Sequence, residues 1–146
     1  MGLHDAVYYE DFPEVKTLIA SGSDVNAQNR AGLTLLHIAI RKRDIPMAEY
    51  LLGHGADFDA QNNRGNRVLL LAIKKRNIKL VRFVAVSGAD LNLENGDAIT
   101  PLHQAAFTGE PYILKFLLTA GADANVVNSE GETPYDFAVA KKMVMR

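Results

Sequence analysis

Four histidines are the residues of this chain best suited to metal binding or to proton transfer near neutral pH. Three of them share one register, because the steps from His4 to His37 and from His37 to His103 are 33 and 66 residues. No His-Glu-x-x-His motif or His–carboxylate cluster supplies further ligands or a paired acid. The chain also lacks cysteine, a phosphate-binding loop and a Gly-x-Ser-x-Gly elbow. We therefore predict a protein that is not an enzyme and holds no metal ion and no cofactor.

Lysine and arginine offer a different chemistry, which is the pairing of cations with carboxylate or phosphate groups. The formal net charge of −1 conceals an uneven distribution of these residues. Residues 1–28 carry one basic and five acidic side chains, residues 29–82 carry eleven and four, and residues 83–146 carry four and eight. The three segments therefore have net charges of −4, +7 and −4. This pattern predicts a basic middle that suits an anionic partner.

A repeat of 33 residues must position both kinds of side chain. A Gly-x-Asp phrase recurs at this interval, with its glycine at positions 22, 55, 88 and 121. A second series keeps the same interval and comprises Thr34, Arg67, Thr100 and Thr133. Such a period is typical of a stack of small units, each of which buries its apolar face against its neighbours.

The unit at residues 29–61 indicates how each repeat folds. Thr34 is a suitable N-cap, and the apolar run that follows it predicts a short first helix. Asp44 caps a second helix that begins near Pro46, and Gly55 ends it. All five prolines of the chain fall at the first turn of such a helix, where a missing N–H is harmless.

The sequence Thr-Pro-Leu-His at residues 100–103, three Gly-Ala-Asp phrases and the 33-residue period together resemble the ankyrin repeat. The resemblance implies an all-α fold, an ankyrin-repeat solenoid of stacked helix-turn-helix units joined by protruding β-turn or hairpin loops. It implies that the histidine shared by the units forms local hydrogen bonds that tie neighbouring turns together. It also implies a single ankyrin-repeat domain over 1–146, with a partial N-terminal repeat 1–28, repeats 29–61, 62–94 and 95–127, and a truncated C-terminal repeat 128–146.

Three departures from the ankyrin pattern carry expectations of their own. Residues 67–70 read Arg-Val-Leu-Leu in place of Thr-Pro-Leu-His, so the helix cap and the histidine hydrogen bond are expected to be lost there. Ala98 stands at a usual glycine, so its turn is expected to differ in shape. Arg43 and Arg76 stand where a glycine normally separates the two helices. We expect the unit at 62–94 to be the least stable.

The resemblance implies partner recognition on the concave side, at the last exposed turn of each first helix and at the turn tips. The helix positions are Tyr8, Tyr9, Arg41, Lys42, Lys74, Lys75, Phe107 and Thr108, with Lys141 and Lys142 in the last unit. The turn tips add Arg30, Leu33, Arg64, Asn66 and Ile99. Cations flanked by aromatic rings suit an acidic or phosphorylated segment. We therefore predict a non-catalytic protein–protein interaction module or scaffold with an acidic protein or peptide partner.

Other interpretations of the basic residues stay open. Cations at the end of a helix relieve its dipole, and charged faces are often only solvated. The same patch would suit nucleic acid or polyphosphate, although the acidic flanks disfavour a long duplex. A third interpretation is a purely structural segment of a longer ankyrin array.

The chain has no signal-peptide pattern and no apolar run long enough to span a bilayer, so no membrane partner is expected. The absence of cysteine fits a reducing compartment. We expect a cytoplasmic protein, with the nucleus as the alternative, that is a monomer or part of a longer chain.

Overall fold

The computed structural model describes the backbone of residues 2–144 and the side chains of residues 2–140. Within this range the chain forms nine α-helices and no β-strand, which confirms the expected all-α fold. The helices are α1 (Leu3–Tyr8), α2 (Phe12–Ala20), α3 (Leu35–Arg41), α4 (Ile45–Gly53), α5 (Val68–Lys74), α6 (Ile78–Val86), α7 (Pro101–Thr108), α8 (Pro111–Thr119) and α9 (Pro134–Val144).

The helices form two layers. The odd-numbered helices make an inner layer in which each packs against the next, and each even-numbered helix lies outside the inner helix that precedes it. The side chains between the layers are apolar and fully buried, and they include Leu35, Ile40, Met47, Leu51, Ile73, Leu80, Leu102, Ile113 and Leu117. The outer helices pack less closely on each other than the inner helices do, so grooves remain between them.

Helices α3 and α4 begin at the side-chain caps that the sequence predicts. The Thr34 Oγ1 accepts a hydrogen bond from the His37 N–H at 3.2 Å where α3 begins. The Asp44 Oδ1 accepts one from the Met47 N–H at 3.2 Å where α4 begins. Helix α5 begins after Arg67 with no side-chain cap. The predicted loss of this cap is therefore confirmed.

Three histidines tie neighbouring units together, as the resemblance implies. The His37 Nε2 lies 2.9 Å from the carbonyl oxygen of Asn66, which belongs to the next unit. The His103 Nε2 lies 2.8 Å from the carbonyl oxygen of Glu132 in the same way. His4 makes an equivalent contact with the turn ahead of α3. Each imidazole thus joins the start of one inner helix to the turn of the following unit.

The unit at 62–94 lacks this tie, because the buried Leu70 stands at the histidine position. Arg67 makes a different connection. Its Nε donates to the carbonyl oxygen of Asp59 at 3.0 Å, and its Nη1 donates to that of Glu94 at 2.7 Å. The guanidinium therefore joins the loops on both sides of the unit. That this unit is the least stable stays a prediction.

The turn at Ala98 keeps the shape of its counterparts, contrary to the expectation. Ala98 has φ +60°, close to the +75° of Gly32 and the +79° of Gly131. The Asn95 Oδ1 accepts a hydrogen bond from the Ile99 N–H at 3.0 Å, and the asparagines that open the other turns make the same bond. Since the asparagine fixes the turn, the alanine is held in the left-handed region, which is unfavourable for a residue with a Cβ atom.

Replacing Ala98 by glycine is expected to raise the free energy of unfolding by about 1 kcal/mol. Glycine occupies the left-handed region without the steric cost of alanine, and this gain exceeds the extra flexibility of the unfolded chain. Urea denaturation followed by circular dichroism measures the change. Gly131→Ala is the matched control, because no atom lies within 4 Å of a Cβ there and only the conformational cost remains. An unchanged or lower stability for Ala98→Gly would contradict the prediction.

Candidate functional site

The ends of the inner helices α1, α3 and α5 lie side by side and border an open groove, which we call the basic groove. It has a volume of about 410 Å³ and is lined by Tyr8, Asn29, Leu33, Ile38, Arg41, Lys42 and Lys75. These side chains supply one aromatic ring, two aliphatic groups, one amide and three cations. The groove therefore offers both apolar contact and pairing with an anion.

The register of the repeat brings two of these cations together. Lys42 and Lys75 are the C-cap residues of α3 and α5 and lie one repeat apart. The residues after them, Arg43 and Arg76, have φ values of +59° and +56°. This left-handed conformation turns the chain from the inner layer to the outer layer. Helices α3 and α5 therefore present their last cations at the same edge of the stack.

Tyr8 forms the aromatic side of the basic groove. The Lys42 Nζ lies 4.6 Å from the centroid of the Tyr8 ring, which is a cation–π contact. The Tyr9 ring packs edge-on against Tyr8, with the two centroids 5.1 Å apart. Tyr8 and Tyr9 nevertheless remain 52% and 68% exposed. Large aromatic surface of this kind is typical of binding sites.

The structure brings together five of the fifteen binding residues that the sequence predicts. The groove is lined by Tyr8, Leu33, Arg41, Lys42 and Lys75. Beyond its lining, at the surface or half-buried, lie Tyr9, Arg30, Arg64, Lys74, Ile99, Phe107 and Thr108. Lys141 and Lys142 fall outside the residues whose side chains the structure describes.

Asn66 has no surface to offer a partner, which corrects its selection as a turn tip. It is only 6% exposed. Its carbonyl oxygen faces the His37 ring, and its N–H donates to the Asn62 Oδ1 at 3.0 Å. The histidine tie therefore holds this residue inside the stack.

Two lining residues, Asn29 and Ile38, were missed by the sequence analysis. Ile38 precedes Arg41 and Lys42 by three and four positions, so helical spacing places it on their face. The Asn29 Oδ1 accepts a hydrogen bond from the Leu33 N–H at 3.0 Å and so shapes the turn beside the groove. Helical periodicity could have identified Ile38 as a groove residue. Nothing in the sequence distinguishes Asn29 from an ordinary turn residue.

The histidines act as structural residues in this fold. The Thr34 N–H donates to the His37 Nδ1 at 3.1 Å, so both ring nitrogens of His37 are engaged. Among the residues described, no three His, Asp or Glu side chains are grouped as metal ligands. No helix in the described part of the chain has the length and apolar character needed to cross a membrane.

Stacked helix pairs with an open inner groove define the class of the protein, which is an α-helical repeat protein. The family model described as "Ankyrin repeats (3 copies)" matches residues 3–95, and the model "Ankyrin repeats (many copies)" matches residues 86–138. The chain therefore belongs to the ankyrin-repeat family. Ankyrin repeats generally mediate protein–protein interactions, and the family is typically non-catalytic. The search of curated proteins found no match.

Proposed function

We propose that the protein binds an acidic or phosphorylated segment of a partner protein in the basic groove. The observation that carries this proposal is the convergence of Arg41, Lys42 and Lys75 on one open groove beside the exposed ring of Tyr8. Ankyrin repeats supply the interaction role, and the side chains of the groove supply the chemistry of the ligand.

The charge of the groove is available to a ligand. Among the residues whose side chains are described, no carboxylate forms an ion pair with Arg41, Lys42 or Lys75. A carboxylate or phosphate that enters the groove therefore meets three cations whose charge no neighbouring acid offsets. Guanidinium and ammonium groups form charge-assisted hydrogen bonds with such anions.

The apolar lining favours a segment of a protein over a bare polyanion. Tyr8, Leu33 and Ile38 provide contact surface for an aliphatic or aromatic side chain next to the anionic group. The segments on both sides of the basic middle each carry a net charge of −4 and repel a long polyanion. A short acidic peptide places its charge only where the groove is positive.

Reversing the charge of Lys42 and Lys75 together to glutamate is expected to weaken binding about tenfold or more at low salt. The probe is a fluorescein-labelled peptide with two leucines, several glutamates and one phosphoserine, and the readout is fluorescence anisotropy. Each lost attraction becomes a repulsion, so the effect should shrink as the salt concentration rises.

The matched control is Lys16→Glu with Arg64→Glu, which changes the net charge equally at exposed residues outside the lining of the groove. It is expected to leave binding of this peptide unchanged. Melting temperatures of both variants show whether the fold is kept. Equal binding by the Lys42/Lys75 variant and the parent protein would overturn the proposal. Tighter binding of a DNA or RNA oligonucleotide than of the peptide would favour nucleic acid as the ligand instead.

A further inference from the structure

A second groove lies between the outer helices α6 and α8, on the face of the stack opposite the basic groove. We call it the outer groove. It has a volume of about 560 Å³ and is lined by Ile78, Lys79, Arg82, Tyr112, Lys115, Phe116 and Thr119. None of these residues is among the individual binding residues that the sequence predicts.

The outer groove carries three cations, with Lys79 and Arg82 on α6 and Lys115 on α8. All three are exposed, and no carboxylate of the described residues forms an ion pair with them. The guanidinium carbon of Arg82 lies 5.5 Å from the centroid of the Phe116 ring, so an aromatic contact holds this cation at the groove.

This concentration of charge is particular to one pair of units. Arg82 and Lys115 are 33 residues apart and therefore occupy the same position in successive repeats. The preceding unit has Glu49 at that position. Helix capping does not require these cations, because they lie in the middle of α6 and α8 instead of at their last turns. The repeat pattern alone therefore does not account for them.

The groove restricts the conformation of its occupant. Its walls are two helices whose backbone N–H and C=O groups are bonded within each helix. An extended peptide lying there finds no strand edge to pair with, so it gains no backbone hydrogen bonds from the walls. An α-helix needs none, because its backbone hydrogen bonds are internal.

The side chains of the groove specify the surface of that helix. Ile78 and Phe116 are half-buried and give an apolar floor, while Tyr112 is 74% exposed at the first turn of α8. Lys79 and Arg82 on one side and Lys115 on the other favour carboxylates that flank an apolar stripe. A helix of nine residues is about 13 Å long, so α6 and α8 offer room for about two and a half turns.

We infer that the outer groove docks an acidic amphipathic helix of a partner protein. The apolar stripe of this helix rests on Ile78 and Phe116, and its glutamates or aspartates pair with Lys79, Arg82 and Lys115. The site is separate from the basic groove, so two segments bind the stack on opposite faces. The inference does not rest on the proposed function.

Charge reversal of Arg82 and Lys115 together to glutamate tests the inference. The probe is a labelled synthetic peptide of about 12 residues, helical by design, with leucines at positions i, i+3 and i+7 and glutamates beside them. We expect this variant to bind the peptide about tenfold more weakly than the parent protein. Lys16→Glu with Arg64→Glu, a change of equal charge at exposed residues that line neither groove, is expected to bind it unchanged. A scrambled peptide of the same composition, which lacks the apolar stripe, is expected to bind as weakly as the variant does.

Amide chemical-shift mapping with the parent protein locates the bound peptide. Shifts at residues 78–82 and 112–119 support the inference, whereas shifts confined to the basic groove, or none at a tenfold excess of peptide, overturn it. If the glutamate variant melts at a lower temperature, Arg82→Gln with Lys115→Gln replaces it. Equal binding by that variant and the parent also overturns the inference. The residues whose shifts change separate the two grooves, so the two proposals fail independently.

Discussion

Replacing His37 by alanine is expected to lower the free energy of unfolding by about 3 kcal/mol. The imidazole is fully buried between two units. Its removal leaves the Asn66 carbonyl oxygen and the Thr34 N–H without their partner at 2.9 and 3.1 Å, and it opens a cavity. Urea denaturation at pH 7.5, followed by circular dichroism, measures the loss.

His54→Ala is the control for this substitution, because His54 is exposed and both its hydrogen bond and its ring contact are made with Tyr50, one turn earlier. It is expected to change stability by less than about 0.5 kcal/mol. A similarly small effect of His37→Ala would show that the histidine tie contributes little to the stack.

His37→Ala should also change how the stability of the protein responds to acid. Burial lowers the pKa of His37, and the hydrogen bond to the backbone of Asn66 only partly opposes this effect. The unfolded chain therefore takes up the proton more readily than the folded one, and stability falls as the pH drops below the ordinary histidine value of about 6.5. Between pH 7.5 and 5 the parent protein should lose more stability than His37→Ala. If the stability of the parent protein and that of His37→Ala fell in parallel with pH, burial of His37 would not be the cause of the acid sensitivity.

Replacing Asp59 by asparagine is expected to raise the free energy of unfolding by about 2 kcal/mol at pH 7. The Asp59 Oδ1 is buried and has no hydrogen-bond partner among the described residues. Asn26 occupies the same position one repeat earlier, where its Nδ2 donates to the Gly55 carbonyl oxygen at 3.0 Å. An amide at position 59 supplies the corresponding donor toward Gly88.

The pH dependence of this gain has a definite sign. Burial raises the pKa of Asp59, although a hydrogen bond from the backbone of Asp90 opposes it. The ionised carboxylate therefore destabilises the folded chain above the unfolded-state pKa of 3.8, and the cost disappears as the pH falls below that value. The advantage of Asp59→Asn should accordingly be largest near neutral pH and shrink toward pH 4, as denaturation at several pH values would show.

The reverse substitution in the next unit provides the matched control. The Asn92 Oδ1 accepts a hydrogen bond from the Asp123 N–H at 2.9 Å. Asn92→Asp keeps this acceptor but introduces a negative charge beside Asp123, so it is expected to destabilise the protein. If Asp59→Asn fails to raise stability, the Asp59 carboxylate is satisfied in solution.

The 33-residue period was sufficient to predict the helices, because each unit buries the same apolar positions against its neighbours. The starts of the helices were marked by Thr34, Asp44 and the prolines. These positions could be predicted because a helix cap depends only on residues within one turn of it. The role of His37 was implied by its register with His103 and by the family pattern. These features depend on short stretches of sequence that every unit repeats.

What the sequence did not reveal depends on contacts between units. Asn66 reads as an exposed turn residue, but a histidine 29 positions earlier holds it inside the stack. Ala98 reads as a disruption, yet the Asn95 side chain imposes the usual turn. Arg82 and Lys115 lie on second helices, whereas the family pattern places recognition on the first helix of each unit, although their spacing of one full repeat is visible in the sequence.

Leu70 stands where a histidine ties the other units, so the junction between the units at 62–94 and 95–127 lacks this hydrogen bond. The lining of the basic groove ends at Lys75 and lies on one side of this junction, whereas α6 and α8 lie on either side of it. A helix seated in the outer groove would therefore span the junction and add contacts between the two units.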